Sequence, residues 1–302
     1  MPVSFELHEI VGGVWAAIAP GTNGVAVSNA AIIDLGDKTV VVDTFMTRRA
    51  AEEMAAEVLR LTGRAPYLVV NSHWHTDHVG GNQAFADVPI VGTRRMLELI
   101  MEDAPSTRDQ FVARAEAIAT AAANLAASAS TPEEESQAEG TMALAEALTA
   151  DADGYQLTLP DLLIGDRLEI EGERSLTIHG FGRGHTESDL FIHLPGDDVV
   201  VAGDLVWTGV HPKTTDGFPA EWAAVLDRIA GLKPSRVVSG HGPPGTRDDV
   251  TAMTGYLRHL DELVTATRSG DLDPAAAAAP PGSEDWEDAS RFRAGLAALA
   301  AR

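Results

Sequence analysis

Six consecutive positions, His73-Trp74-His75-Thr76-Asp77-His78, constrain this chain more than any other stretch. They follow the short apolar run Pro66–Val70 almost directly. Three imidazoles and a carboxylate in so few residues bury little apolar area, so packing explains them poorly. In an extended loop alternate residues face one side. His73 and His75 can therefore reach one ion, while Asp77 and His78 turn toward a second position. The adjacent Gly80-Gly81 permits the tight turn this needs. Whatever the fold, a buried strand must end at a polar rim and present this loop to a ligand.

Three further segments repeat the theme after apolar runs: Gly184-His185-Thr186, Gly240-His241-Gly242, and Gly203-Asp204 following Val199–Ala202. Neutral imidazoles with carboxylates are the donors that a borderline divalent ion such as zinc selects. The chain has no cysteine. That excludes thiolate zinc sites, cysteine nucleophiles and disulfide scaffolds together. His8, His179, His193 and His259 stand alone on apolar or charged segments and read as hydrogen-bonded structural residues. Trp207 and His211, just beyond Asp204, are expected to border a substrate pocket. Core packing and loop hydrogen bonding are their respective alternatives.

Along the chain, Val3–Ile10, Val14–Ala19, Ser28–Asp34 and Thr39–Asp43 read as strands separated by glycine punctuation. Thr47–Leu61 carries Met54, Val58 and Leu61 at helical spacing and is closed by Gly63. Thr93–Ala150 is alanine-rich and reads as two or three inserted helices with a break near Thr131-Pro132, forming a lid, a homodimerisation arm or a helical pair packed on the surface. Strands resume at Leu168–Ile170, Ser175–Ile178, Leu190–His193 and Val199–Val201. The helix Glu221–Leu232, the strand Arg236–Val238 and the helix Val250–Thr267 follow. Asp273–Gly282 reads as a mobile linker and Trp286–Ala301 as a terminal helix. The expected organisation is an α/β catalytic domain over 1–270, interrupted by a helical insertion at 93–150, then a linker and C-terminal helix over 271–302.

With 22 basic and 45 acidic side chains the formal charge is −23. A phosphate backbone rewards lysine and arginine, so nucleic acid is not an expected partner; a small molecule is. No run of 18 apolar residues and no basic-then-apolar leader is visible, so neither membrane insertion nor export is expected. The chain is read as soluble and cytoplasmic.

The ordered set His73-x-His75-x-Asp77-His78, His185, Asp204 and His241 resembles that of the metallo-β-lactamase superfamily, over roughly Ser28 to Pro244. Within it, GHTESDLFIHLPGDDVVVAGDLVWTGVHP followed by VVSGHGPP is most similar to SoxH-like, quinoprotein-relay-associated hydrolases, beside the glyoxalase II branch. The resemblance implies an αββα sandwich with a helical insertion and a helical C-terminal tail. It implies His73, His75 and His185 on a first metal, Asp77, His78 and His241 on a second, and Asp204 bridging both. Two zinc ions are the implied cofactor, with iron or manganese as alternatives. Asp77 and Asp204 become the catalytic carboxylates, one orienting a hydroxide shared by the ions and one fixing their separation. The implied reaction is hydrolysis of a small carboxyl derivative: a thioester, lactone, other ester or β-lactam.

β-Lactamases of the cysteine-bearing and all-histidine types lack a bridging aspartate, so the chain departs from them at Asp204. Three alternatives stand beside this reading. A mononuclear iron oxidoreductase resembling persulfide dioxygenases would leave Asp77, His78 and His241 unused. A phosphodiesterase is opposed by the charge, and a metal-binding scaffold by the complete ligand set.

Overall fold

Apolar runs too short to be helices alternate with amphipathic ones, and the chain folds accordingly into mixed α/β structure. A computed structural model describes residues 4–21 and 24–302. Val3, the expected start of the first strand, lies outside the described residues. The chain divides into two compact units, Met1–Ile164 and Gly165–Arg302.

The first unit is built on a seven-stranded sheet. β1 (Glu6–Val11), β2 (Val14–Ile18), β3 (Ala30–Asp34) and β4 (Thr39–Val42) form an antiparallel meander. α1 (Arg48–Thr62) then crosses back; the Thr47 hydroxyl accepts from the Ala50 N–H at its start, and Gly63 ends it at φ 71°. Its face of Ala50, Ala51, Met54 and Val58 packs against Ile32, Val41 and Val69 in one apolar cluster. β5 (Leu68–Val70) lies parallel to β4, and the short helix α2 (Thr76–Val79) follows the histidine-rich loop.

Two strands were not anticipated: β6 (Ile90–Thr93) and β7 (Leu162–Ile164), which extend the sheet in parallel. Between them run α3 (Arg94–Asp103), α4 (Arg108–Ser128) and α5 (Pro132–Asp151). Neighbouring parallel strands need a long crossover connection. The alanine-rich region is that connection, swollen to three helices. The expected break is real: Thr131 and Glu134 form a reciprocal capping box with Pro132 in the first turn.

The second unit carries a five-stranded sheet ordered β12-β11-β10-β9-β8. Its elements are β8 (Arg167–Ile170), β9 (Leu176–Gly180), β10 (Leu190–Leu194), β11 (Val199–Trp207), α6 (Pro219–Gly231), β12 (Arg236–His241), α7 (Arg247–Ser269) and α8 (Ala289–Ala300). All pairs are antiparallel except β11 with β12. β11 runs far past Val201, so Asp204 sits inside a strand, not at its end. The register shifts on either side of Gly203 turn the strand locally there.

In the tail, Asp273–Gly282 is mostly exposed, with a 3-10 turn at Pro274–Ala276 and a buried Ala277. α8 docks by Phe292, Leu296 and Leu299 into the cluster that holds Trp207, Leu257 and Leu260.

Candidate metal centre

In the first unit the four donors of the loop after β5 converge. His73 Nε2 lies 3.0 Å from His75 Nδ1, and His78 Nε2 lies 3.6 Å from Asp77 Oδ2. His73, His75 and His78 are buried; the Asp77 side chain keeps 21 % of its surface exposed. The residue that organises them is Asp43, directly after β4 and 2 % exposed, at φ 63°. Its carboxylate accepts from Ser72 N and Ser72 Oγ, both at 2.7 Å, and from His78 Nδ1 at 2.8 Å.

A carboxylate only accepts, so the Ser72 hydroxyl proton points at Asp43. The serine oxygen must then accept from His73 Nδ1, 3.0 Å away. One buried charge thus fixes the tautomers of two rings and leaves the Nε2 lone pairs of both His73 and His78 on the donor side. The loop backbone is anchored too, because Thr44 N donates to the His78 carbonyl at 2.9 Å and Ser28 Oγ to that of Asp77 at 2.5 Å. Gly81 has no room for a side chain, since a Cβ there would collide with the Thr44 carbonyl and the Ala51 methyl.

In the second unit Asp204 lies between two imidazoles. Its Oδ2 is 3.2 Å from His185 Nε2 and its Oδ1 is 3.4 Å from His241 Nε2, with all three residues buried. The loop bearing His185 is closed by Asp189, which accepts from Thr186 N and from Thr186 Oγ1 at 2.7 Å. The His185 ring meets Trp222 edge-on at 5.1 Å, and that indole donates to the Leu205 carbonyl at 2.9 Å. Gly240 makes space for the carboxylate: a Cβ there would run into Asp204 Oδ1 and lie 2.7 Å from the Asp204 nitrogen.

The donor chemistry fits a divalent ion. Two ligands bound at ~2.0–2.1 Å around a tetrahedral ion stand about 3.3 Å apart. The donor separations of 3.0, 3.2, 3.4 and 3.6 Å bracket that edge. Buried imidazoles backed by carboxylate or hydroxyl partners are the usual outer support of such ligands.

Trp207 and His211 depart from the expectation that they border a pocket, since they are 2 % and 0 % exposed. Trp207 stacks on His241, and His211 packs among Tyr256, Trp286 and Phe292 with its Nδ1 3.1 Å from the Tyr256 hydroxyl. Burial first of all lowers the pKa of His211 and keeps it neutral. His179 lies opposite Phe191 and His193 opposite Thr177 in β9 and β10, and burial first of all lowers both pKa values. Asp43, Ser72, Asp189 and Trp222 were not anticipated. Asp43 had a signal: an acidic residue closing the apolar run Thr39–Val42, the same pattern that marks the metal-type loops.

Two mixed sheets with helices, bearing buried imidazole–carboxylate sets, define an α/β protein with a candidate metal site. The metallo-beta-lactamase superfamily profile matches residues 23–241, and the chain belongs to that superfamily. Its fold is that of the metallo-beta-lactamase from Pontibacter korlensis, at TM-score 0.60 and 19 % identity over 84 % of this chain and 99 % of that one. The metallo-beta-lactamase from Erythrobacter litoralis is similar at TM-score 0.59 and 17 % identity, covering 85 % and 97 % respectively. These likenesses bear out the sandwich expected from the sequence. A hydroxyacylglutathione hydrolase of Fuscovulum blasticum is 34 % identical over 95 residues, which are 30 % of this chain and 36 % of that protein. The match therefore spans about a third of the relative's length. Among the described residues no helix is long and apolar enough to cross a membrane.

Proposed function

We propose that this chain is a metal-dependent hydrolase of a small carboxyl derivative, using two divalent ions. His73, His75, His185 and Asp204 would hold one ion, and Asp77, His78 and His241 the other, with Asp204 shared. Zinc suits these donors best, and iron or manganese are the alternatives. The observation that carries the reading is Asp204, whose two oxygens lie at ligand-edge distance from two different imidazoles. A carboxylate so arranged has one oxygen for each of two ions.

When bound, such ions would act as Lewis acids and lower the pKa of a water toward neutrality. The chain's own residues do the rest. Asp43 keeps the Nδ1 proton on His78 and, through Ser72, on His73, so both rings offer Nε2 without a competing proton. Asp77, the most exposed donor of its loop, can accept a hydrogen bond from an arriving water or substrate N–H. Asp204 and His185 are buried, and charge interactions are stronger in that low-dielectric interior than in water.

The name of the Fuscovulum relative supports an acylglutathione thioester as the first substrate to try. The test is a hydrolysis screen of the zinc-loaded protein over thioesters, lactones, β-lactams and phosphodiesters, with the chelated protein alongside. Metal-dependent turnover of a carboxyl derivative is expected. Turnover of phosphodiesters alone, or full activity after chelation, would remove the proposal.

A further inference from the structure

We propose that the C-terminal helix α8 holds a ligand of the metal site in place through Trp207, a positioning residue; this rests on the reading of His241 as a ligand. β11 and β12 run parallel, and Trp207 pairs with His241 in register. Their rings stack at 3.9 Å between centroids with 19° between planes, and Thr208 N donates to the His241 carbonyl at 3.1 Å. The Arg291 guanidinium of α8 lies over the same indole, 5.2 Å from its centroid. The chain from cation to indole to imidazole is thus continuous in space and lies wholly inside the second unit.

The tail is laced to this spot at the backbone as well. His211 N donates to the Glu287 carbonyl at 2.9 Å and Glu287 N to that of Gly209 at 3.0 Å, so the strand-like segment before α8 clasps the loop leaving Trp207. At the far end Arg268 donates to the Leu299 carbonyl at 2.9 Å. The indole Nε1–H is buried with no hydrogen-bond partner among the described residues, so the position retains a tryptophan at a cost. What it retains is the ring face: a broad π surface both stacks on imidazole and attracts a guanidinium. A stacked imidazole cannot swing about χ2 without sliding off that face. His241 Nε2 is thereby kept pointing at Asp204. The superfamily match ends at residue 241, so α8 and its Arg291 come from a part of the chain outside it, while Trp207 lies within it.

The experiment is a zinc titration of the full-length chain against a chromophoric chelator, with circular dichroism and melting curves on the same samples. Trp207→Leu is expected to weaken one ion about tenfold, near the upper worth of an aromatic pair at ~1.4 kcal/mol per decade, and to leave the other within about twofold. Trp207→Phe, which can still stack, should recover most of the loss. Arg291→Met should lose roughly two- to fivefold on the same ion. Leu296→Ala, which loosens the docking of α8 in the cluster that holds Trp207, should lower the melting temperature and weaken the same ion in step with Arg291→Met. Unchanged binding by a folded Trp207→Leu protein overturns the inference, and so does a folded Leu296→Ala protein with a lowered melting temperature that still binds both ions as tightly as wild type. Should Trp207→Leu not fold, Arg291→Met decides by the same criterion. A wild-type chain taking up fewer than two ions would end the two-ion reading and this inference with it. Two ions bound equally by wild type and the variants would end this inference alone.

Discussion

Asp43→Asn tests the donor set where the geometry is most explicit. Asparagine keeps the shape of aspartate and tolerates the left-handed φ of 63° at this position, so the backbone need not move. What changes is one acceptor oxygen. If the remaining oxygen keeps the Ser72 N–H, the amide nitrogen faces two donors, the Ser72 hydroxyl and His78 Nδ1, at sites that were 2.7 and 2.8 Å from oxygen. The hydroxyl can rotate away, but the imidazole can only shift its proton to Nε2. That is the atom 3.6 Å from Asp77 Oδ2 that the ion would need.

Two charge-assisted hydrogen bonds of about 1.5–3 kcal/mol each are lost; relaxation should reduce the combined cost to about 2–4 kcal/mol. Metal affinity at the His78 position should fall by about 10–100-fold or more, the usual cost of losing an outer partner. Chelator competition measures the second quantity, and urea unfolding of the chelated protein the first. A folded Asn variant that takes up two zinc ions with unchanged affinity would refute the assignment of Asp43 as the residue that sets the His78 tautomer.

Three other outcomes are expected. His73→Ala should lose more metal affinity than the ~10–100-fold of an outer partner, with hydrolysis falling to the level of chelated protein. Retained turnover in a steady-state assay would contradict its place as a ligand. Gly240→Ala should cost about 1–3 kcal/mol and displace the Asp204 carboxylate, so melting temperature and zinc content should drop together. A stable Gly240→Ala protein holding two ions would show that the pocket around Asp204 is not tight.

Burial first, then His193, Arg167 and Arg228, pushes the pKa of His179 down to about 4 from 6.5. The unfolded chain takes up a proton below pH 6.5 that the folded chain refuses until about pH 4. Stability of the chelated protein should therefore be intact above pH 6.5 and decline as pH falls through that window. The decline should be about 1–2 kcal/mol after discounting the full shift for partial exposure. His179→Phe should flatten that decline, and an unchanged slope in pH-dependent urea melts would refute the cause.

The fold was legible wherever a residue's type decided its environment. Asn-Ser-His-Trp-His-Thr-Asp-His cannot serve as apolar packing, even though most of it is buried, and Val-Val-Val cannot be surface, so the loops and most strands stood out. β6 and β7 did not, because four and three residues carry too little periodicity to compete with the alanine-rich helices between them. The boundaries of α1 and α5 were visible because Thr47, Gly63 and Thr131 declare their caps chemically.

The candidate site was read from donor types, and its supports were missed for one reason. Asp43 and Trp222 act across roughly 30 to 40 positions of sequence, on Ser72, His78 and His185, so no local pattern ties them to the atoms they hold. Trp207 shows the limit most clearly. Three residues from Asp204, it looked like a pocket wall because tryptophan beside a polar site often is one. Its actual partner, His241, is a neighbour only because β11 and β12 are parallel. Pairing of that kind follows from topology, and the topology comes from the packing of α6, α7 and α8, which no short window of sequence contains.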